Sequence, residues 1–426
     1  MLSSSLRMWL SWCSILWLAQ SSFQASVLGE RSLTALSNDA MAKLLTTPDP
    51  VKNIDPRNPS SHLSKILIPR APDTQNNTFV RNYLISTLKG LNWHVETDEF
   101  EADTPVGRKK FANVIATKDP DAPRRLILSA HFDSKYFPSY PMNQVRLLHA
   151  VIQYSLTCLQ FVGATDSAAP CAMMLDAAEA LNPLLEARMK RIKNGSQLDD
   201  EDEDVGDLTL QLVFFDGEEA FKDWTDTDSI YGARHLAEKW DTTYISPHTK
   251  RRLMNDVTTE LAAIEHLILL DLLGAKQPLI RSSFIDTAWM FDHMVAVEER
   301  LGTNGAFAYD EEQSMAPGKW TSYFVKRNKD IFHMGGIGDD HLPFLNRGVS
   351  ILHIIANPFP RVWHSSKDDA TALDIPTMRR WNLILRVFLA EYFELEPKGS
   401  KSRSLNDPEE EEADRYVARS VSELSL

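Results

Sequence analysis

Cysteine is scarce in this 426-residue chain, which carries only Cys13, Cys158 and Cys171. None sits in a C-x-x-C spacing, so a thiolate zinc site and a redox dithiol are both excluded. Positive charge is also in deficit: 59 Asp and Glu against 45 Lys and Arg leave a formal charge of −14. That balance argues against nucleic acid or an anionic membrane as the main partner. No apolar run reaches the roughly 20 residues that a bilayer-spanning helix needs. No internal repeat is visible, and the Gly-rich HMGGIGDDH lacks both the dinucleotide-binding spacing and the lysine of a phosphate loop.

The apolar stretch that comes nearest to a membrane span is MWLSWCSILWLA at 8–19, preceded by Arg7. Small residues follow at Ala19, Ser21, Ser22, Ala25 and Ser26. The pattern predicts a cleaved secretory signal over 1–26, with an uncleaved Golgi membrane anchor as the alternative. The acceptor sequons at Asn76 (NNT) and Asn194 (NGS) fit that compartment. Loss of the signal leaves Cys158 and Cys171, which are candidates for a disulfide there. The acidic runs DDEDED at 199–204 and EEEE at 409–412 read as solvated segments, and 397–426 as a disordered tail.

What the chain has is a set of acids and histidines placed at the ends of apolar runs. RLILSAHFD, LTLQLVFFDGEE, HLILLDLLGA and VSILHIIA each read as a buried strand. The first three deliver His131 and Asp133, then Glu218 and Glu219, then Asp271. Asp166 (in GATDSA) and His364 (in VWH) lie in neighbouring loops. An unpaired buried charge is expensive, so several such groups at strand ends point to a bound cation. Mixed carboxylate and imidazole donors suit zinc better than calcium or magnesium. Helical patterns alternate with the strands, as in FVRNYLISTLKGL, PCAMMLDAAEALNPLLEARMK, SIYGARHLAEKW, TAWMFDHMVAVEERLG and TMRRWNLILRVFLAEYFEL. The expectation is one α/β domain built on a central mixed, mostly parallel twisted sheet flanked by helices. Its site would lie at the carboxyl ends of the strands. Glu218 and Glu219 are adjacent, so in the turn after Gly217 one is free to bind metal while the other moves protons.

HFDSKYF, FVGATDSAAPCAMML, LQLVFFDGEEAF, LILLDLLGA, DDHLPFLNRGV and PFPRVWH together resemble the glutaminyl cyclases, which share a fold with the zinc aminopeptidases. The likeness runs from about residue 60 to 395 and implies a catalytic domain over 27–396. It implies zinc-dependent cyclisation of N-terminal glutamine to pyroglutamate with release of ammonia. One Zn2+ would be held by Asp166, Glu219 and His364. Glu218 would be the proton shuttle, with Asp271 accepting a hydrogen bond beside it and Asp339 in the same network. Trp224, Phe359 and Trp363 would wall the pocket, Ile337 would stand near its mouth, and Lys135 and Phe137 on the adjoining loop. Substrates would be peptides or proteins with N-terminal Gln, and more slowly Glu, acted on by a monomer with no nucleic-acid partner.

The rival is a zinc aminopeptidase. His131 and Asp133 form an intact H-x-D, which with Asp166 and Asp271 would complete a second, here vestigial, metal site. A silent binding protein is a third class, and no ligand or base is lost to suggest it. Three features depart from the family pattern. Ala130 stands where the familiar disulfide partner of Cys171 would be, so either Cys158 substitutes or Cys171 is free. Gly338 stands where vertebrate cyclases carry Gln. VRLLHAVIQYSLTCLQ at 145–160 is surplus, as either a genuine insertion or a retained in-frame intron.

Overall fold

The computed structural model describes residues 31–137, 161–194, 203–245, 258–308, 319–327 and 336–397. The expected signal, the 145–160 segment with Cys158, most of the acidic run at 199–204 and nearly all of the tail lie outside these residues. Six strands build one sheet: β1 (His94–Thr104), β2 (Gly107–Thr117), β3 (Arg124–His131), β4 (Leu208–Phe215), β5 (Ile264–Asp271) and β6 (Ile351–Ile355). Their order across the sheet is β1-β2-β4-β3-β5-β6. Strands β4, β3, β5 and β6 run parallel, while β1 and β2 form an antiparallel hairpin added through β4. The expected mixed, mostly parallel sheet is what the chain adopts.

Helices cover both faces. They are α1 (Asn38–Leu45), α2 (Gln75–Gly90), α3 (Ala169–Lys193), α4 (Tyr231–Thr242), α5 (Ala288–Thr303) and α6 (Ile375–Tyr392). Side-chain alternation along the strands decides which layer each residue joins. Leu126, Leu128 and Ala130 of β3, with Leu210, Leu212 and Phe214 of β4, pack against α2, α3, α5 and α6. Ile127, Val213 and Phe215 point the other way, toward α4 and the short helix Leu342–Leu345. Burial of each such side chain stabilises by about 1.5–3 kcal/mol, so the central strands are firmly held.

Local signals set the helix starts. The Thr74 hydroxyl accepts from the Asn77 amide at the start of α2, and the Asp374 carboxylate accepts from the Thr377 amide at the start of α6. A buried ion pair ties α6 to α3: Arg386 donates to both Asp176 oxygens at 2.7 and 2.9 Å. Arg386 Nη1 also donates to the Pro48 carbonyl at 2.7 Å, which fixes the segment after α1. Because the four central strands are parallel, their carboxyl ends share one edge. His131 lies opposite Phe215, and Asp271 opposite Ile355, so the residues that follow each strand converge.

Candidate active site

The turn after β4 is the centre of the site. Gly217 adopts φ +79°, and a Cβ there would stand 2.5 Å from the Phe111 ring. Only glycine fits both the conformation and the space. The Ile230 amide donates to the Glu218 carbonyl at 2.8 Å and the Tyr231 amide to the Gly217 carbonyl at 2.7 Å, so the start of α4 clamps the turn. From the other strand, the buried Asp133 carboxylate accepts the Glu218 and Glu219 amides at 3.2 and 3.4 Å. The second residue of His131-x-Asp133 therefore holds the backbone that carries both glutamates.

Asp166 sits in a second constrained segment. Gly163 (φ +53°) packs so tightly that a Cβ would lie 2.1 Å from the Asp166 carbonyl oxygen. Asp368 accepts the Thr165 amide and hydroxyl at 2.8 and 2.9 Å, and the Asp368 carbonyl accepts the Ala164 amide at 3.0 Å. Residues Ala164–Ala168 then lead directly into α3, with a cis peptide bond between Asp166 and Ser167.

Three side chains from these segments meet. His364 Nε2 lies 3.2 Å from Glu219 Oε1 and 3.5 Å from Asp166 Oδ2. Glu219 Oε1 is buried, and despite that approach it makes no hydrogen bond among the described residues. An orphaned carboxylate oxygen beside an imidazole nitrogen and a second carboxylate fits a tetrahedral zinc site with one open position. Asp166, Glu219 and His364 are thus placed to hold a metal ion. Lys135, expected on the adjoining loop, reaches Glu219 Oε2 at 3.0 Å and the Ala220 carbonyl at 3.3 Å. Burial opposes the Glu219 charge, but His364 and the Lys135 ammonium hold its carboxyl down at about 2.

Glu218 experiences a different field. It is buried, and desolvation pushes its carboxyl well above the usual range. The His131 charge opposes this, while Glu219, Asp339 and Asp340 add to it. The two adjacent glutamates therefore sit in opposed fields, one carboxyl lowered and the other raised. Burial and the neighbouring Glu219 likewise raise Asp166. His131 Nε2 bonds Asp166 Oδ1 at 2.9 Å and lies 3.6 Å from Asp271 Oδ1. Burial disfavours its charge, yet the surrounding Asp133, Asp166 and Asp271 carboxylates raise it well above the ordinary histidine value.

Sequence reasoning missed several partners. The Ser167 hydroxyl donates to Asp271, which also accepts the Leu272 amide at 2.8 Å. His353 Nε2 pairs with Asp339 Oδ2 at 2.7 Å. The signal for His353 was present, as a lone imidazole inside the apolar strand ILHII. The roles of Ser167 and Asp368 left no pattern, because they depend on where two loops meet.

Two of the expected aromatic residues pack on each other and on His364. Phe359 and Trp363 pack with ring centroids 4.9 Å apart, and Trp363 stacks on His364 at 3.8 Å. Ile337 and Phe359 rest on Leu272, Ile355 and Ala356. Trp224 (46% exposed) and Trp363 (41%) keep open faces. Trp224 also abuts Gly338, whose notional Cβ would be 3.1 Å from the indole nitrogen. Phe137 packs on Phe161 at 5.2 Å, beside a 510 Å³ cavity reaching from Lys135 to Thr74. Cys171 is a free, buried thiol against the His131 carbonyl, pushed up to about 12 by burial. Its considered partner, Cys158, lies outside the described residues.

Known proteins agree with this geometry. The model of Peptidase family M28 matches residues 113–389. A glutaminyl-peptide cyclotransferase-like protein of Bos taurus is 39% identical over 79% of this chain and 75% of its own length. A glutaminyl-peptide cyclotransferase of Drosophila melanogaster is 39% identical over 78% and 79%. The crystal structure of Macrostomum lignano glutaminyl cyclase aligns with a TM-score of 0.65 at 34% identity, covering 86% of this chain and 97% of that one. The chain belongs to peptidase family M28 and, within it, to the glutaminyl-peptide cyclotransferases.

Proposed function

We propose that the protein converts N-terminal glutamine of peptides and proteins to pyroglutamate with release of ammonia. The observation that carries this reading is the meeting of His364 Nε2 with Glu219 Oε1 at 3.2 Å and Asp166 Oδ2 at 3.5 Å, with Glu218 buried in the next position along the chain. Asp166, Glu219 and His364 would hold a zinc ion, which would supply Lewis acidity toward the side-chain carbonyl. Glu218 takes a proton from the attacking α-amine and returns it to the nitrogen that leaves as ammonia. Asp339 adds to the negative field around both Glu218 and Asp271. Trp224, Phe359, Trp363 and Ile337 hold the folded-back glutamine side chain near attack geometry.

A single ion suffices in this reading. His131 Nε2 bonds Asp166 Oδ1 at 2.9 Å and lies 3.6 Å from Asp271 Oδ1, so these side chains satisfy one another without a second ion. The rest of the proposal follows the sequence. Residues 1–26 direct the chain to the secretory pathway, 27–396 form the catalytic domain, and 397–426 form an acidic tail. Asn76 and Asn194 carry glycans, and the enzyme acts as a monomer that also cyclises Glu slowly. Among the described residues, no helix is long and apolar enough to cross a membrane.

The test is mass spectrometry of a Gln-initiated peptide incubated with zinc-loaded protein. A product lighter by one ammonia and blocked at its N-terminus is expected. Removal of the whole first residue would instead establish an aminopeptidase, with His131, Asp166 and Asp271 holding a second ion.

A further inference from the structure

We propose that Asp339, His341 and His353 form a second site for a zinc-class divalent ion. Asp339 and His341 lie in the turn leading into Leu342–Leu345, and His353 projects from the middle of β6. Their ligand-capable atoms all fall within 4.8 Å of one another. The three residues are 1%, 1% and 3% exposed. Two imidazoles and one carboxylate are a zinc-type donor set that leaves a fourth position for water.

The independent sign of a ligand is His341 itself. Its buried Nδ1 has no hydrogen-bond partner among the described residues. The ring packs against His353 at 4.4 Å and Phe284 at 5.5 Å, which explains its position but leaves that nitrogen unsatisfied. Buried polar atoms are seldom left so. Burial, then the His353 charge, depress the imidazole to about 2, so its lone pair is available at neutral pH.

The Asp339 carboxylate accepts the Asp340 amide at 2.7 Å and is bridged to His353 Nε2 at 2.7 Å. An ion bound between Asp339 and His353 displaces that bridging proton to solvent, so metal uptake at this site releases a proton.

The experiment starts from full-length protein stripped of metal and reloaded with one equivalent of zinc. Further zinc is titrated in while bound metal is read. A second equivalent should bind, and mild chelation should remove it. His341→Phe and His341→Gln should each stop at one equivalent under the same excess. A wild-type protein that stops at one equivalent overturns the proposal. So does a pair of His341 variants that take up the second equivalent as the wild type does, since the ion must then lie elsewhere.

Discussion

Replacing Asp133 with Ala tests whether the turn bearing both glutamates is held from β3. Its carboxylate is fully buried, accepts the Glu218 and Glu219 amides at 3.2 and 3.4 Å, and lies 3.4 Å from His131 Nδ1. Hydrogen bonds to a charged group are worth about 1.5–3 kcal/mol each. Both contacts are long, so the lower end applies, and their joint loss is predicted to cost about 3 kcal/mol. Two buried amides would also be left without an acceptor. Asp133→Asn keeps one carbonyl oxygen but turns an amide N–H toward a backbone N–H, so it should recover about half of that loss at best. Freeing the turn releases Glu219 from its pose, and loss of such a supporting contact lowers metal affinity by roughly 10–100-fold. Urea unfolding of metal-free protein reads the stability, and competition with a chelating indicator reads zinc affinity. An Asp133→Ala protein with wild-type values for both would refute the reasoning.

Three other substitutions probe the frame. Asp176→Ala strands the buried Arg386 guanidinium and should cost about 3–5 kcal/mol in urea unfolding. Glu179→Gln should flatten the acid limb of the stability–pH curve. The His62 hydrogen bond, opposed by burial and helped by Lys52, draws the Glu179 carboxyl from 4.5 to about 2. Its contribution is thus present above pH 4.5 and lost as pH falls toward 2. Gly232→Ala places a methyl 2.2 Å from Asn113 Oδ1 and 2.5 Å from the Asp216 carbonyl. That overpacking should lower stability by about 1–3 kcal/mol, read as a fall in Tm.

Much of the site was legible because parallel strands must end on one edge, and the acids stood where apolar runs ended. His131, Glu218, Glu219 and Asp271 were found in that way. The separate fates of Glu218 and Glu219 were only half legible. Periodicity places adjacent residues apart, but the Asp133, Ile230 and Tyr231 contacts that set the turn join distant segments. The two backbone amides that the Asp133 carboxylate accepts left no pattern in the sequence, because they join separate strand ends. Nor did the contact of the Lys135 ammonium with Glu219. The antiparallel direction of the β1–β2 hairpin leaves no mark in the sequence, since alternation carries no sense of orientation. His353 passed as core because one polar residue in an apolar strand is indistinguishable from a satisfied histidine until Asp339 is brought beside it.

The most direct test of the central claim is the turnover of Glu218→Gln on a Gln-initiated peptide, with zinc content measured in the same sample. The account predicts one bound zinc and a rate lower by about 10²–10⁴-fold. That loss corresponds to about 3–5 kcal/mol of transition-state stabilisation. Near-normal turnover would contradict it, and so would a loss of rate that simply follows a loss of zinc, because Glu218 would then act through the metal site and not as the proton carrier.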